Sequence, residues 1–119
     1  MDPEPRTRGG VVMSLSTHIL DLRSGQPAAG ISVTLEKDGK PVGQGITDGD
    51  GRVSDFLSGE ALTAGQYQLS FDVAQYFADL NVETFYTTIP IVFVVEDNTR
   101  HYHVPLLLSP YGYSTYRGS

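Results

Sequence analysis

Hydrophobic and polar positions alternate along most of this chain with a period of two, as they do in extended backbone, where successive side chains point to opposite faces. From Met13 to Leu20, the residues Met13, Leu15, Thr17 and Ile19 share one face, and Ser14, Ser16, His18 and Leu20 share the other. Asp21 to Pro27 carries turn residues and predicts a loop. Ile31 to Glu36 alternates cleanly, and Asp38-Gly39 then signals a two-residue hairpin with a return strand over Pro41 to Thr47.

Asp48-Gly49-Asp50-Gly51 predicts a second tight turn that delivers Arg52 and Val53 into a short strand. Gly65 to Val73 reads as a strand with Tyr67, Leu69 and Phe71 on one face. Ala74 to Leu80 breaks the period, and Val73, Phe77 and Leu80 suit one face of a short helix. Ile89 to Val95 is apolar on both faces, which predicts a central strand, and Asp97 to Arg100 turns the chain toward its last hairpin. That hairpin joins two strands through Ser109-Pro110-Tyr111-Gly112 and continues to the carboxyl terminus. With no internal repeat, the pattern predicts an all-β sandwich of seven to eight strands in two packed sheets, with one short helix.

The length of 119 residues fits one domain with a real core. Residues 1–12 are polar and rich in Pro and Gly, and predict a loose tail ahead of a domain over 13–119, with Met13 a candidate translation start. No apolar run reaches the length of a bilayer span, and the tail lacks the apolar segment of a secretory signal. The expectation is a cytoplasmic protein with no membrane partner. The absence of cysteine excludes disulfides and thiolate chemistry. A net charge of −6 argues against nucleic-acid binding, which needs a basic face.

The stretch before the final turn has two unlike faces. Tyr102, Val104 and Leu106 point one way, while His101, His103, Pro105 and Leu107 mix ionisable and apolar groups on the other. Apolar groups on the outer face of a small sandwich point to an oligomer interface. Pro105 has no N–H and predicts a gap in the ladder or a bulge.

The candidate chemistry rests on three histidines, His18, His101 and His103, and on two arginines, Arg52 and Arg117. A lone strand histidine is ordinarily solvated or structural. Two of them on strands that can be sheet neighbours, beside an ordered terminus, give equal weight to a general base that takes a proton from water. Three imidazoles also suit Zn or Cu, but no carboxylate or Cys sits at ligand spacing, so no cofactor is expected. The guanidinium forks match carboxylate-like or imide-like oxygens, against surface solubility as the ordinary role of each. Tyr116 and the hydroxyl or carboxylate of Ser119 add hydrogen-bonding groups. Asp48-Gly49-Asp50-Gly51 lacks the glycine placement and closing Glu of a calcium loop, and no Gly-x-Ser-x-Gly elbow is present. Activated water fits better than a covalent nucleophile.

Three segments together carry a resemblance: Leu15-Ser16-Thr17-His18-Ile19-Leu20-Asp21, Thr47-Asp48-Gly49-Asp50-Gly51-Arg52, and the ending from His101 to Tyr116-Arg117-Gly118-Ser119. From Leu15 to Ser119 the chain resembles the transthyretin-related 5-hydroxyisourate hydrolases. Leu108-Ser109-Pro110-Tyr111 and Tyr113-Ser114-Thr115 are also similar to transthyretin, the hormone carrier on the same fold. The resemblance implies a transthyretin-like sandwich and a homotetramer with active sites at the dimer–dimer interface. It implies hydrolytic opening of the six-membered ring of 5-hydroxyisourate, in purine breakdown, to a ureidoimidazoline carboxylate. His18, Arg52, His103 and Ser119 would be catalytic, and Tyr116, Arg117 and Gly118 would bind substrate. Phe85-Tyr86-Thr87-Thr88 departs from relatives, which usually have proline after the aromatic pair. The competing expectations are a non-enzymatic carrier of a small ligand and a purely structural sandwich module.

Overall fold

The computed structural model describes residues 14–57, 62–96 and 101–118. Within them lie seven strands of four or more residues, two strands of two residues and one helix. The strands are β1 (Ser14–Asp21), β2 (Gln26–Pro27), β3 (Ser32–Lys37), β4 (Lys40–Ile46), β5 (Arg52–Val53), β6 (Gly65–Asp72), β7 (Thr88–Val95), β8 (His101–Ser109) and β9 (Gly112–Thr115), with helix α1 (Val73–Asp79) between β6 and β7. The loop expected over Asp21 to Pro27 is shorter than its turn residues suggest, because Gln26 and Pro27 pair with Asp21 and Leu20. The tail and the turn expected at Asp97 to Arg100 lie outside the described residues.

One sheet runs β2-β1-β8-β9, with β5 also on β1, and the other runs β4-β3-β6-β7. The alternation places Leu15, Ile19, Leu106 and Leu108 from the first sheet against Val33, Leu35, Leu69, Phe71 and Ile89 from the second, all buried. Each such side chain contributes roughly 1.5–3 kcal/mol over its exposed state. Thr17 is the polar member of the inward row on β1, and its hydroxyl donates to the Val104 carbonyl oxygen across to β8.

The pairing of β1 with β8 is parallel, although the two lie at opposite ends of the chain. Its register sets Ser14 beside His101, Ser16 beside His103 and His18 beside Pro105. Leu106 pairs with Thr115 on β9, the ladder then lapses at Pro105, and it resumes in the same register as a single bridge between His103 and Gly118. A residue without an N–H accounts for the lapse. The Pro105 carbonyl oxygen instead accepts the Thr115 hydroxyl at 2.7 Å.

β7 is an edge strand, not the central strand its apolar run suggests. Val92 and Val94 on its second face are 55% and 56% exposed. Pro90 within it, opposite Ser70 on β6, is a residue that an edge tolerates and a central strand does not. α1 begins one residue earlier than expected and buries Val73 and Phe77, while Leu80 falls just past its end and is exposed. Thr87, at the atypical Thr87-Thr88 pair, caps the helix start by accepting the Val73 and Ala74 amides on its carbonyl oxygen. Among the described residues no helix is long and apolar enough to cross a membrane.

Candidate active site

The outward face of the first sheet collects the groups with chemistry. Ser14, Ser16 and His18 project from alternate positions of β1 and are all half-buried. On β8, parallel pairing brings His101 and His103 alongside the two serines. Across the other edge of β1, Arg52 on β5 stands directly opposite His18. One surface therefore runs from a guanidinium, past an imidazole, to two more imidazoles.

Arg52 is set by the turn before it. The Asp48 carboxylate accepts the amides of Asp50 at 2.9 Å and Arg52 at 3.0 Å, and the Asp48 amide donates to the Arg52 carbonyl oxygen. The amide bond from Arg52 is the largest of the effects that hold this carboxyl below its usual range. Gly51 closes the turn at a φ of 73°, and a Cβ there would lie 2.5 Å from the Ile19 carbonyl oxygen. Only glycine lets the turn dock against β1, where the Ile19 amide donates to Gly51 at 2.8 Å.

His103 is held from two sides. Its Nδ1 lies 2.7 Å from the Ser16 hydroxyl. Gly118 donates its amide to the His103 carbonyl oxygen at 2.8 Å, and a Cβ on Gly118 would lie 2.6 Å from the ring's Cδ2. Burial, then the Arg52 guanidinium, then His101 and His18 lower the His103 pKa below its ordinary value of 6.5. The imidazole is therefore neutral at physiological pH and able to accept a proton. Arg52 faces His18 across β5 and β1, and His103 lies one strand over on β8, beside Ser16 of the same β1 face.

The carboxyl end divides between the two faces of β8. Gly118 lies with the imidazoles. Arg117 lies with Tyr102 on the opposite face, its guanidinium carbon 4.7 Å from the centre of the phenol ring. Tyr116 is exposed, and with Arg117 it borders a cleft of about 220 Å³ between β7 and β8 that Ile91, Phe93 and Val104 also line. Ser119 lies outside the described residues.

The whole of this architecture matches a known family. The model of the HIUase/Transthyretin family matches residues 15–118. The chain belongs to that family. It is 47% identical over 109 residues to the 5-hydroxyisourate hydrolase of Salmonella dublin, covering 88% of this chain and 80% of the relative. The solved 5-hydroxyisourate hydrolase of Klebsiella pneumoniae superposes with a TM-score of 0.81 at 40% identity, covering 89% of this chain and 99% of that one. Sea bream transthyretin, solved with thyroxine, gives the same TM-score of 0.81 at 29% identity, covering 87% and 93%. Within the family, backbone shape does not separate hydrolase from carrier, and the distinction rests on side chains.

Three residues of this cluster carry no signal of their role in the sequence. Ser14 and Ser16 share the His18 face by simple alternation, but only the parallel register shows that they meet His101 and His103. Asp48 was visible as a turn residue, and its role in orienting Arg52 follows from the loop's hydrogen bonds.

Proposed function

We propose that this chain is a 5-hydroxyisourate hydrolase, opening the six-membered ring by attack of water on a ring amide carbonyl. The observation that carries the reading is the convergence of His18, Arg52 and His103 on one sheet face, in a family whose 47%-identical relative bears that name. His103, neutral and held through Nδ1, takes the proton from water at Nε2, with His18 orienting the attack. The proton returns to the leaving ring nitrogen. Arg52 stabilises charge that develops on the carbonyl oxygen, a preorganised interaction typically about 10²–10³-fold in rate. Gly118 keeps the His103 ring in place, while Tyr116 and Ser119 grip the flat, polar substrate.

The same proposal makes the working form a homotetramer with sites where dimers meet. Supporting it are the half-buried Leu20 and Leu107, which share the face of the imidazoles, and the exposed Leu22 beside them. A cytoplasmic location belongs to the proposal as well, and suits a chain without cysteine.

The test is the ultraviolet absorbance of 5-hydroxyisourate generated in place from urate by urate oxidase. Decay faster with the protein than without it supports the hydrolase. Unchanged decay, together with tight binding of a hydrophobic hormone-like ligand, replaces it with the carrier.

A further inference from the structure

Ser16 occupies a position that the proposed reaction leaves unexplained. Its one hydroxyl lies 2.7 Å from His103 Nδ1 and 3.0 Å from His101 Nε2, and the Ser14 hydroxyl bonds in turn to His101 Nδ1. The two imidazoles lie 6.4 Å apart, centre to centre, with 19° between their planes, too far to exchange a proton directly. A serine has a single proton to donate. Ser16 can therefore donate to one imidazole only, and must accept from the other.

We propose that Ser16 couples His101 to His103 in a proton relay running Ser14, His101, Ser16, His103, which switches His103 between base and acid without charging it. In the base arrangement, His103 Nδ1–H donates to Ser16, Ser16 donates to His101 Nε2, and His101 Nδ1–H donates to Ser14. His103 Nε2 then carries a lone pair. When Nε2 takes the proton of the attacking water, the Nδ1 proton passes to Ser16, the Ser16 proton to His101, the His101 Nδ1 proton to Ser14, and the Ser14 proton to solvent. Return of the Nε2 proton to the leaving nitrogen runs the same shifts backward, with one proton drawn from solvent. The new carboxyl group ionises to solvent, so each turnover balances.

Two features of the site favour this device. Arg52 and His18 face His103 from β5 and β1, and an imidazolium beside a guanidinium is disfavoured, so a cycle that keeps the ring neutral avoids that repulsion. The chain also grades from the half-buried His103 to the exposed His101, giving the proton a path from site to water. Ser16 is a positioning residue here, acting through His103.

The inference rests on the hydrolase reading for its purpose, but its coupling is measurable in the resting protein. Nitrogen-15 NMR of the histidine rings should show His103 exchanging between its two neutral tautomers, with titration of His101 felt at His103. Both signatures should vanish in Ser16→Ala and persist in Ser16→Thr. With substrate, Ser16→Ala should lower kcat about 10-fold, a fraction of what general acid–base catalysis supplies, while KM stays within about 2-fold. His101→Phe should match it, and the double variant should be no slower than either single one. Independent titration of the two rings, wild-type kcat in Ser16→Ala, or losses that multiply in the double variant would overturn the relay. A wild-type protein that shows the coupling but no hydrolysis would instead defeat the hydrolase reading and leave the coupling standing.

Discussion

Gly118 stands directly across from His103, its amide bonded to the His103 carbonyl oxygen at 2.8 Å and its hydrogen-only α-carbon pressed against the imidazole. The histidine ring occupies the space in which any other residue would place its Cβ. Gly118→Ala should therefore push the ring off its bond with Ser16. A displacement on the order of 1 Å at a reacting group can cost about 100-fold in rate. Turnover should fall by that order in the ultraviolet assay, with the circular dichroism spectrum and oligomeric state unchanged. Wild-type turnover would show that His103 does not depend on this contact.

Arg52→Ala should lower kcat by about 10²–10³-fold through loss of the charge that faces the reacting oxygen. Arg52→Lys should recover part of the rate, since it restores the charge but not the fork. Steady-state kinetics separate these outcomes, and a KM change alone would assign Arg52 to binding instead.

The pH dependence follows from the direction of the His103 shift. Burial and neighbouring cations put the folded pKa below 6.5. The neutral, active ring thus persists to more acid pH than an unperturbed histidine would allow. The acid limb of kcat/KM should lie below pH 6.5, and Arg52→Ala should move it toward higher pH by removing a cation. The same shift acts on stability: the unfolded chain binds the proton more readily, so this contribution is complete above pH 6.5 and declines as pH falls from there through the folded pKa. Chemical denaturation between pH 5 and 8 would read it.

Tyr76 and Asp21 make a buried contact away from the site. The Tyr76 hydroxyl donates at 2.7 Å to a carboxylate with no exposed surface, which also accepts the Arg23 amide at 2.9 Å. Burial, the hydrogen bond and the charge of Asp21 push the phenol up to about 12. Tyr76→Phe should cost about 1.5–3 kcal/mol, the usual value of a hydrogen bond to a charged group. In the wild type this contribution is whole below pH 10 and is lost as pH rises through about 12. Denaturant midpoints of the two proteins should converge over that interval.

Much of this molecule is legible in local pattern, and the limits of legibility are physical. Alternation along β1 assigns Leu15 and Ile19 inward and His18 outward, because one slip of register would exchange the two sets. The outward lie of His103 follows in the same way. That β8 pairs in parallel with β1 is a long-range choice with no local marker, so the meeting of Ser16 with His103 could not be seen. β7 misled because Val92 and Val94 are apolar yet face outward, and only Pro90 betrays the edge. Leu80 misled because helical spacing continues past the residue where the helix stops. The family resemblance implies a substrate-binding role for Arg117, whereas the alternation beyond β9 sets it on the Tyr102 side, across β8 from the imidazoles.

The lapse of the ladder at Pro105 has a consequence for how the protein fails. Beyond Thr115, among the described residues, the backbone ladder is reduced to the one bridge at Gly118, beside which Arg117 rests on the Tyr102 ring. The core beneath is secured by many buried side chains and full ladders. Mild heat, low denaturant or a carboxypeptidase should therefore disarm the chemistry while the body of the protein stays intact, so that loss of activity and loss of structure become two separate transitions set apart by a single absent amide hydrogen.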